Sequence, residues 1–235
     1  MSVLRKTWVA AAAGLAVTLG GGSEAWAQVQ LTFDDDGTVT NSEAIDQAYG
    51  DRVTASPDTN GLLYGPIAGG GAPNVEVSYQ GLVPDLWTTG YGDLVNVLYN
   101  EADGDGLLQV TLVADAGFEV GLLGFDAAAF GDSLDVPGID VADGSGNVLF
   151  ASGPFTLLGA FTSGGTPSHN DFDFSGGLFA QEININVDLT GLGGASDNVG
   201  LDNIVFVQRV VPEPATAGLL ALGGWAALAG RRRRD

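Results

Sequence analysis

The chain contains no cysteine, and a single histidine, a single lysine and a single methionine in 235 residues. Without a thiol there is no disulfide framework, no thiolate nucleophile and no zinc–thiolate site. A chain of this length buries enough apolar surface to dispense with such staples. Cations are almost as scarce through the middle. Between Gln28 and Val211 only Arg52 and Arg209 carry a fixed positive charge, yet 26 of the 29 acids fall there once Glu24, Glu213 and Asp235 are set aside. That segment stands near −24, against −21 for the whole chain. Nucleic acid is not expected as a partner, because phosphate binding needs clustered Lys or Arg. An acidic surface of this kind suits solubility and attracts divalent cations.

What is abundant is glycine, 37 residues of it, set among Val, Leu, Ile and Phe. This composition favours short strands joined by tight turns. The two ends differ from the middle. Arg5 and Lys6 precede an apolar run from Trp8 to about Gly20, and Ala25-Trp26-Ala27 follows. A basic start, a short greasy core and a small-x-small site form the pattern of a secretory signal peptide, with residues 1–27 removed and Gln28 the new N-terminus. At the other end, Pro212-Glu213-Pro214 precedes an apolar run to Gly230, and then come Arg231, Arg232, Arg233 and Arg234. Two prolines around one acid block helix and sheet alike and leave the backbone open to an enzyme. Residues 215–230 would span about 24 Å as a helix at 1.5 Å per residue, short for a hydrocarbon core of about 30 Å. The four arginines hold the far end on the cytoplasmic side. The segment is expected to be a transmembrane helix acting as a stop-transfer anchor.

Motif, helix and arginine cluster, in that order, resemble the PEP-CTERM sorting signal. The resemblance implies processing by exosortase, a membrane transpeptidase-like cysteine protease of bacteria that make exopolysaccharide, near Pro212, Glu213 and Pro214 on the non-cytoplasmic face. It implies an exported protein, membrane-anchored as a precursor and then placed at the cell surface or in the extracellular matrix. Residues 211–235 make this tail and residues 28–210 the working domain.

The period within the domain is two. Ile183, Ile185, Val187 and Leu189 alternate with Asn184, Asn186 and Asp188, and Leu108, Val110, Leu112 and Ala114 alternate with Gln109, Thr111 and Val113. Each is a half-buried strand. Residues 75–79, 95–99, 119–125, 148–151, 155–161 and 201–207 are further strands. Turn signals separate them at Asp103-Gly104-Asp105-Gly106, at residues 143–147 and at 163–165. Only residues 41–48 read as a turn or two of helix. Eight to ten short strands at this spacing predict an all-β antiparallel β-sandwich, jelly-roll-like. The opening run, Leu31 to Asp36, and the closing run, Gly200 to Phe206, resemble the first and last strands of the galactose-binding-like jelly rolls, which include many carbohydrate-binding modules. That resemblance implies a structural Ca²⁺ held by Asp34 and Asp202, with Asp35 or Asp36 as a further donor. A solvated acidic edge strand is the alternative reading of the same residues.

Catalysis finds no motif. His169 lies in a loop by composition, and no Gly-x-Ser-x-Gly elbow accompanies it. Asp103-x-Asp105 starts like an EF-hand, but Leu107 stands where a third ligand belongs. In the run Asp171-Phe172-Asp173-Phe174 the phenylalanines are expected inward. Trp87 and Tyr91, set among polar residues in a glycine-bearing loop, are the candidate carbohydrate platform, since a flat ring face stacks on a pyranose. A non-enzymatic surface or matrix protein touching exopolysaccharide is the expectation, with no convergent polar pocket. The alternatives are a calcium-dependent structural or adhesive protein, and a secreted carbohydrate-active enzyme with two carboxylates about 5–10 Å apart in an aromatic groove.

Overall fold

The structure, a computed structural model, describes residues 28–35, 40–54, 62–66, 71–104, 106–159 and 166–211, with only the backbone of 34, 35 and 62–66. The expected signal peptide, Pro212, Glu213, Pro214, the expected transmembrane helix and the arginine cluster all lie outside these residues. Among those described, no helix is long and apolar enough to cross a membrane.

The domain is all-β. In chain order the strands are β1 (Gln28–Asp35), β2 (Glu43–Ala44), β3 (Leu62–Pro66), β4 (Val75–Gln80), β5 (Pro84–Trp87), β6 (Val97–Asn100), β7 (Leu107–Ala114) and β8 (Phe118–Ala129). They continue with β9 (Leu134–Val136), β10 (Gly138–Asp143), β11 (Val148–Ala151), β12 (Phe155–Leu157), β13 (Asn170–Ala180), β14 (Glu182–Asp188) and β15 (Val199–Val210). One sheet runs β13-β8-β15-β6-β5-β2, with β1 also on β15 and β3 on β1; the second runs β11-β10-β14-β7-β4. All these pairings are antiparallel. The two sheets contribute to a single buried cluster, as a sandwich requires.

The period-two pattern explains the layering. Ile183, Ile185 and Val187 of β14 and Leu108, Val110 and Leu112 of β7 are fully buried, opposing Val120 and Leu122 of β8 and Ile204 and Phe206 of β15 within that cluster. Outward positions form polar ladders instead: Thr111 Oγ1 donates to Asn184 Oδ1 at 2.7 Å, and Gln109 Nε2 to Asn186 Oδ1 at 2.6 Å. Each such cross-strand pair contributes about 0.2–1 kcal/mol. Phe172 and Phe174 turn inward as expected, Phe172 stacking on Phe125 with centroids 4.7 Å apart.

Three expectations need correction. Residues 41–48 form turns and the two-residue β2, not helix: Glu43 accepts locally from the Thr40 amide, and Asn41 accepts from the Thr88 amide across the sheet edge. The Asp103-Gly104 stretch is a crossover between sheets, not a hairpin turn: β6 lies in the first sheet and β7 in the second. Strand β12 stops at Leu157, and residues 160–165, including the expected Ser163-Gly164-Gly165 turn, lie outside those described. The first and last strands, which the sequence likened to those of a jelly roll, pair from Gln28↔Val207 to Leu31↔Ile204.

That pairing gives the domain two distinct ends. Gln28 and Val211 both lie at one end, where β1 begins and β15 finishes. Both fixed cations sit there. Arg209 pairs with Glu119, and Arg52 with Glu76 and Asp115, the latter beside Asn74, whose amide donates to Gln208. Val199, at the other end of β15, is ten residues away, roughly 30 Å at strand rise.

Candidate functional site

At that far end the loop between β5 and β6 is stapled across the tip of β8. Tyr91 bridges to Phe130, the Gly92 amide donates to Ala129 O at 3.2 Å, and the Gly131 amide to Gly90 O at 3.0 Å. Two glycines admit the rings. A Cβ on Gly200 would sit 2.7 Å from the Tyr91 ring, and Gly90, at φ 101°, lies under the Phe130 ring. The strands therefore carry Tyr91, Tyr99, Trp87 and Phe130 into one place. Their centroids form a closed circuit: Trp87–Tyr99 at 5.7 Å, Tyr99–Tyr91 at 6.0 Å, Tyr91–Phe130 at 5.3 Å and Phe130–Trp87 at 5.8 Å. Both contacts of Trp87 are edge-on, at 77° and 82°.

These four rings, with Glu101, Asp197 and Asn198, line a cleft of about 120 Å³. Trp87 is half-buried and Phe130 is 41% exposed, so they form the mouth; Tyr91, 2% exposed, and Tyr99 form the floor. Tyr91 Oη donates to Asp197 O at 2.5 Å. Tyr99 Oη donates to Glu101 and lies 3.2 Å from Ser42 Oγ. Burial and neighbouring negative charge push both phenols up, so they stay neutral donors. The Tyr99 hydroxyl, with Ser42, holds the Glu101 carboxyl below its usual range. Burial first, then the charges of Asp103 and Glu101, push Asp197 up, and its Oδ1 is shielded with no hydrogen-bond partner. Asp85, the cross-strand neighbour of Tyr99, is 5% exposed and also has an unpartnered Oδ1. Glu101 and Asp197 thus converge on four aromatic rings, with Asp85 across the strand pair from Tyr99. No convergent polar pocket was expected from the sequence. Arg52 and Arg209 are at the opposite end.

The sequence singled out Trp87 and Tyr91, and the fold brings them together, with Trp87 presented and Tyr91 serving as the floor. Tyr99, Phe130, Glu101 and Asp197 went unnoticed. Tyr99 lay within an expected strand, and only its place two residues past Val97 on the outward face could have flagged it.

Asp202, the expected calcium ligand, is 3% exposed on β15. Its Oδ1 accepts the Asn203 amide at 2.6 Å, and its Oδ2 lies 3.3 Å from Asn203 Nδ2. Asn203 adopts φ 51° where the β8–β15 register slips, and its Nδ2 also donates to Asp126 at 2.9 Å. A bulge of this kind re-aims side chains. Asp34 lies three residues past the last β1–β15 pair, on the strand beside Asp202 and towards the same end. Its side chain, and Asp36 altogether, lie outside the described residues. Among those described, no three acidic, histidine or cysteine side chains stand close enough to hold a metal.

His169, expected to be an exposed loop residue, is half-buried instead. Its Nδ1 is 2.8 Å from Asp93 Oδ1 and its Nε2 3.8 Å from Asp126 Oδ1. Burial draws the imidazole down, but the Asp93 bond and the charges of Asp126, Asp93 and Asp171 outweigh it and leave it raised.

The domain's last strand runs directly into the tail. Residues 210–234 match the PEP-CTERM protein-sorting motif. The match supports an exported protein sorted by exosortase, made as a precursor and processed for surface localisation. It covers the tail and not the sandwich. No curated protein matches the chain.

Proposed function

We propose that the protein is a non-catalytic surface or matrix component that holds exopolysaccharide at the Trp87 cleft. The observation that carries this reading is polarity. Both termini of the sandwich leave at the end bearing Arg52 and Arg209, and the aromatic cleft opens at the other. A domain tethered by its C-terminal tail, with residues 215–230 in the membrane, would present the cleft outward. Half-exposed Trp87 and Phe130 offer ring faces for a pyranose, and the acids and Asn198 offer hydrogen-bond acceptors. The acidic surface argues against nucleic acid as a partner. The pairing of β1 with β15 supports the jelly-roll likeness. The pairing of β1 with β15, which places Asp34 and Asp202 on adjacent strands, supports a structural Ca²⁺, whose chemistry would be to cross-link the first and last strands through oxygen ligands.

One observation favours a hydrolytic enzyme as the second reading: Glu101 and Asp197 stand on aromatic walls with their acidities shifted in opposite directions. Against it, Asp197 Oδ1 is shielded from solvent, and a general acid must reach its substrate.

Trp87→Leu, in a chain that still sorts to the surface, tests the binding reading. Retention on the host's polysaccharide should fall about tenfold, the size of a lost stacking contact. Unchanged retention, or hydrolysis abolished by Glu101→Gln, would overturn it.

A further inference from the structure

The cleft is too small for a whole sugar ring, which points to what enters it. The four rings, with centroids 5.3–6.0 Å apart around the circuit, line one cleft, and a charge seated in it lies within cation–π reach, about 6 Å. A cleft walled by aromatic rings is a site for a positive charge that has shed its water. The carboxylates agree with it. Glu101 and Asp197 line the same cleft, and Asp85 is the cross-strand neighbour of Tyr99. Neither Arg52 nor Arg209 neutralises them, since each is engaged at the far end. An anionic glycan would meet this cluster with repulsion. A neutral one would gain nothing from their charge.

We propose that the cleft takes a positively charged amino substituent of a glycan, seated among Trp87, Tyr91, Tyr99 and Phe130 while its sugar ring rests on the rim. This rests on the reading of the cleft as the polysaccharide site and names the class of polysaccharide: a cationic amino sugar polymer. Selectivity comes from the charge, because an N-acetyl group is bulkier and carries none. Tyr91 is then a binding residue through its ring face, although its hydroxyl is committed to Asp197 O.

The test uses the full-length chain labelled with 5-fluorotryptophan, the Trp87 resonance being the ¹⁹F signal lost in Trp87→Phe. The probes are a glucosamine oligomer, its fully N-acetylated counterpart and tetramethylammonium. The amine oligomer is expected to shift the Trp87 signal at a pH below the amine's own pKa and to bind about tenfold more weakly above it. Glu101→Gln and Asp197→Asn are each expected to weaken it about threefold, and added salt to weaken it further. Equal binding of the N-acetylated oligomer would overturn the charge inference while leaving a glycan site standing. Binding of tetramethylammonium alone would overturn it as well, since the ammonium chemistry would then serve a small molecule. No shift at Trp87 with any probe would remove both the inference and the glycan reading.

Discussion

Asp85→Asn should make the protein more stable, and the sign of that change probes the buried acid beside the cleft. Asp85 is 5% exposed, and its Oδ1 has no hydrogen-bond partner. Burial, and after it the charge of Glu101, push its carboxyl upward. The folded state therefore binds this proton more tightly than the unfolded chain does. Asp85 costs the fold most at neutral pH, and the cost fades as pH falls through the raised value. A shielded polar group without a partner costs about 1–3 kcal/mol. Asparagine keeps the polar atoms and sheds only the charge, so the gain should be about 1 kcal/mol at pH 7. In a domain of this size that is about 2–4 °C in Tm. Urea unfolding of both proteins at pH 7 and again near pH 4 measures it, with the difference shrinking on acidification. A variant less stable than wild type at pH 7 would refute the reasoning, because the charge would then be held by something that stabilises it.

Two other expectations follow from single residues. His169 is raised by Asp93, Asp126 and Asp171, so its contribution is full below the unfolded value, about pH 6.5, and is lost as pH rises through the folded one. His169→Gln should therefore cost about 0.5–1 kcal/mol at pH 6 and less at pH 8; equal losses at the two pH values would refute it. If Asp34 and Asp202 hold Ca²⁺, a chelator should lower the melting temperature of the wild type and leave Asp202→Ala unmoved. Identical melting with and without chelator would remove the cation.

Much of the layering was legible because burial obeys the pleat. Ile183 to Val187 and Leu108 to Leu112 alternate in sequence as they alternate between core and surface. The contact of first and last strands was legible only through the jelly-roll expectation, a fold that often sets those strands side by side. What the sequence hid is whatever depends on pairing at a distance. Phe130 lies 43 positions past Trp87 by residue number and reaches it only because β8 ends where the β5–β6 loop folds over. Asn203 reads as one more outward residue of an alternating strand, yet a positive φ at a bulge sets it between Asp126 and Asp202. The Asp103-Gly104 stretch has hairpin chemistry, and only the assignment of β6 and β7 to different sheets shows it to be a crossing. Tyr91 looked like an exposed handle because its neighbours are polar. They face solvent while its ring fills the space that Gly200 leaves open.

Everything about display depends on the tail. The mass of the chain recovered from the host's surface, read to both termini, tests it most directly. Cleavage after Ala27 and within or beside Pro212, Glu213 and Pro214 should leave a domain beginning at Gln28 and lacking all four terminal arginines. An uncut chain of 235 residues recovered from the cytoplasm would contradict the account.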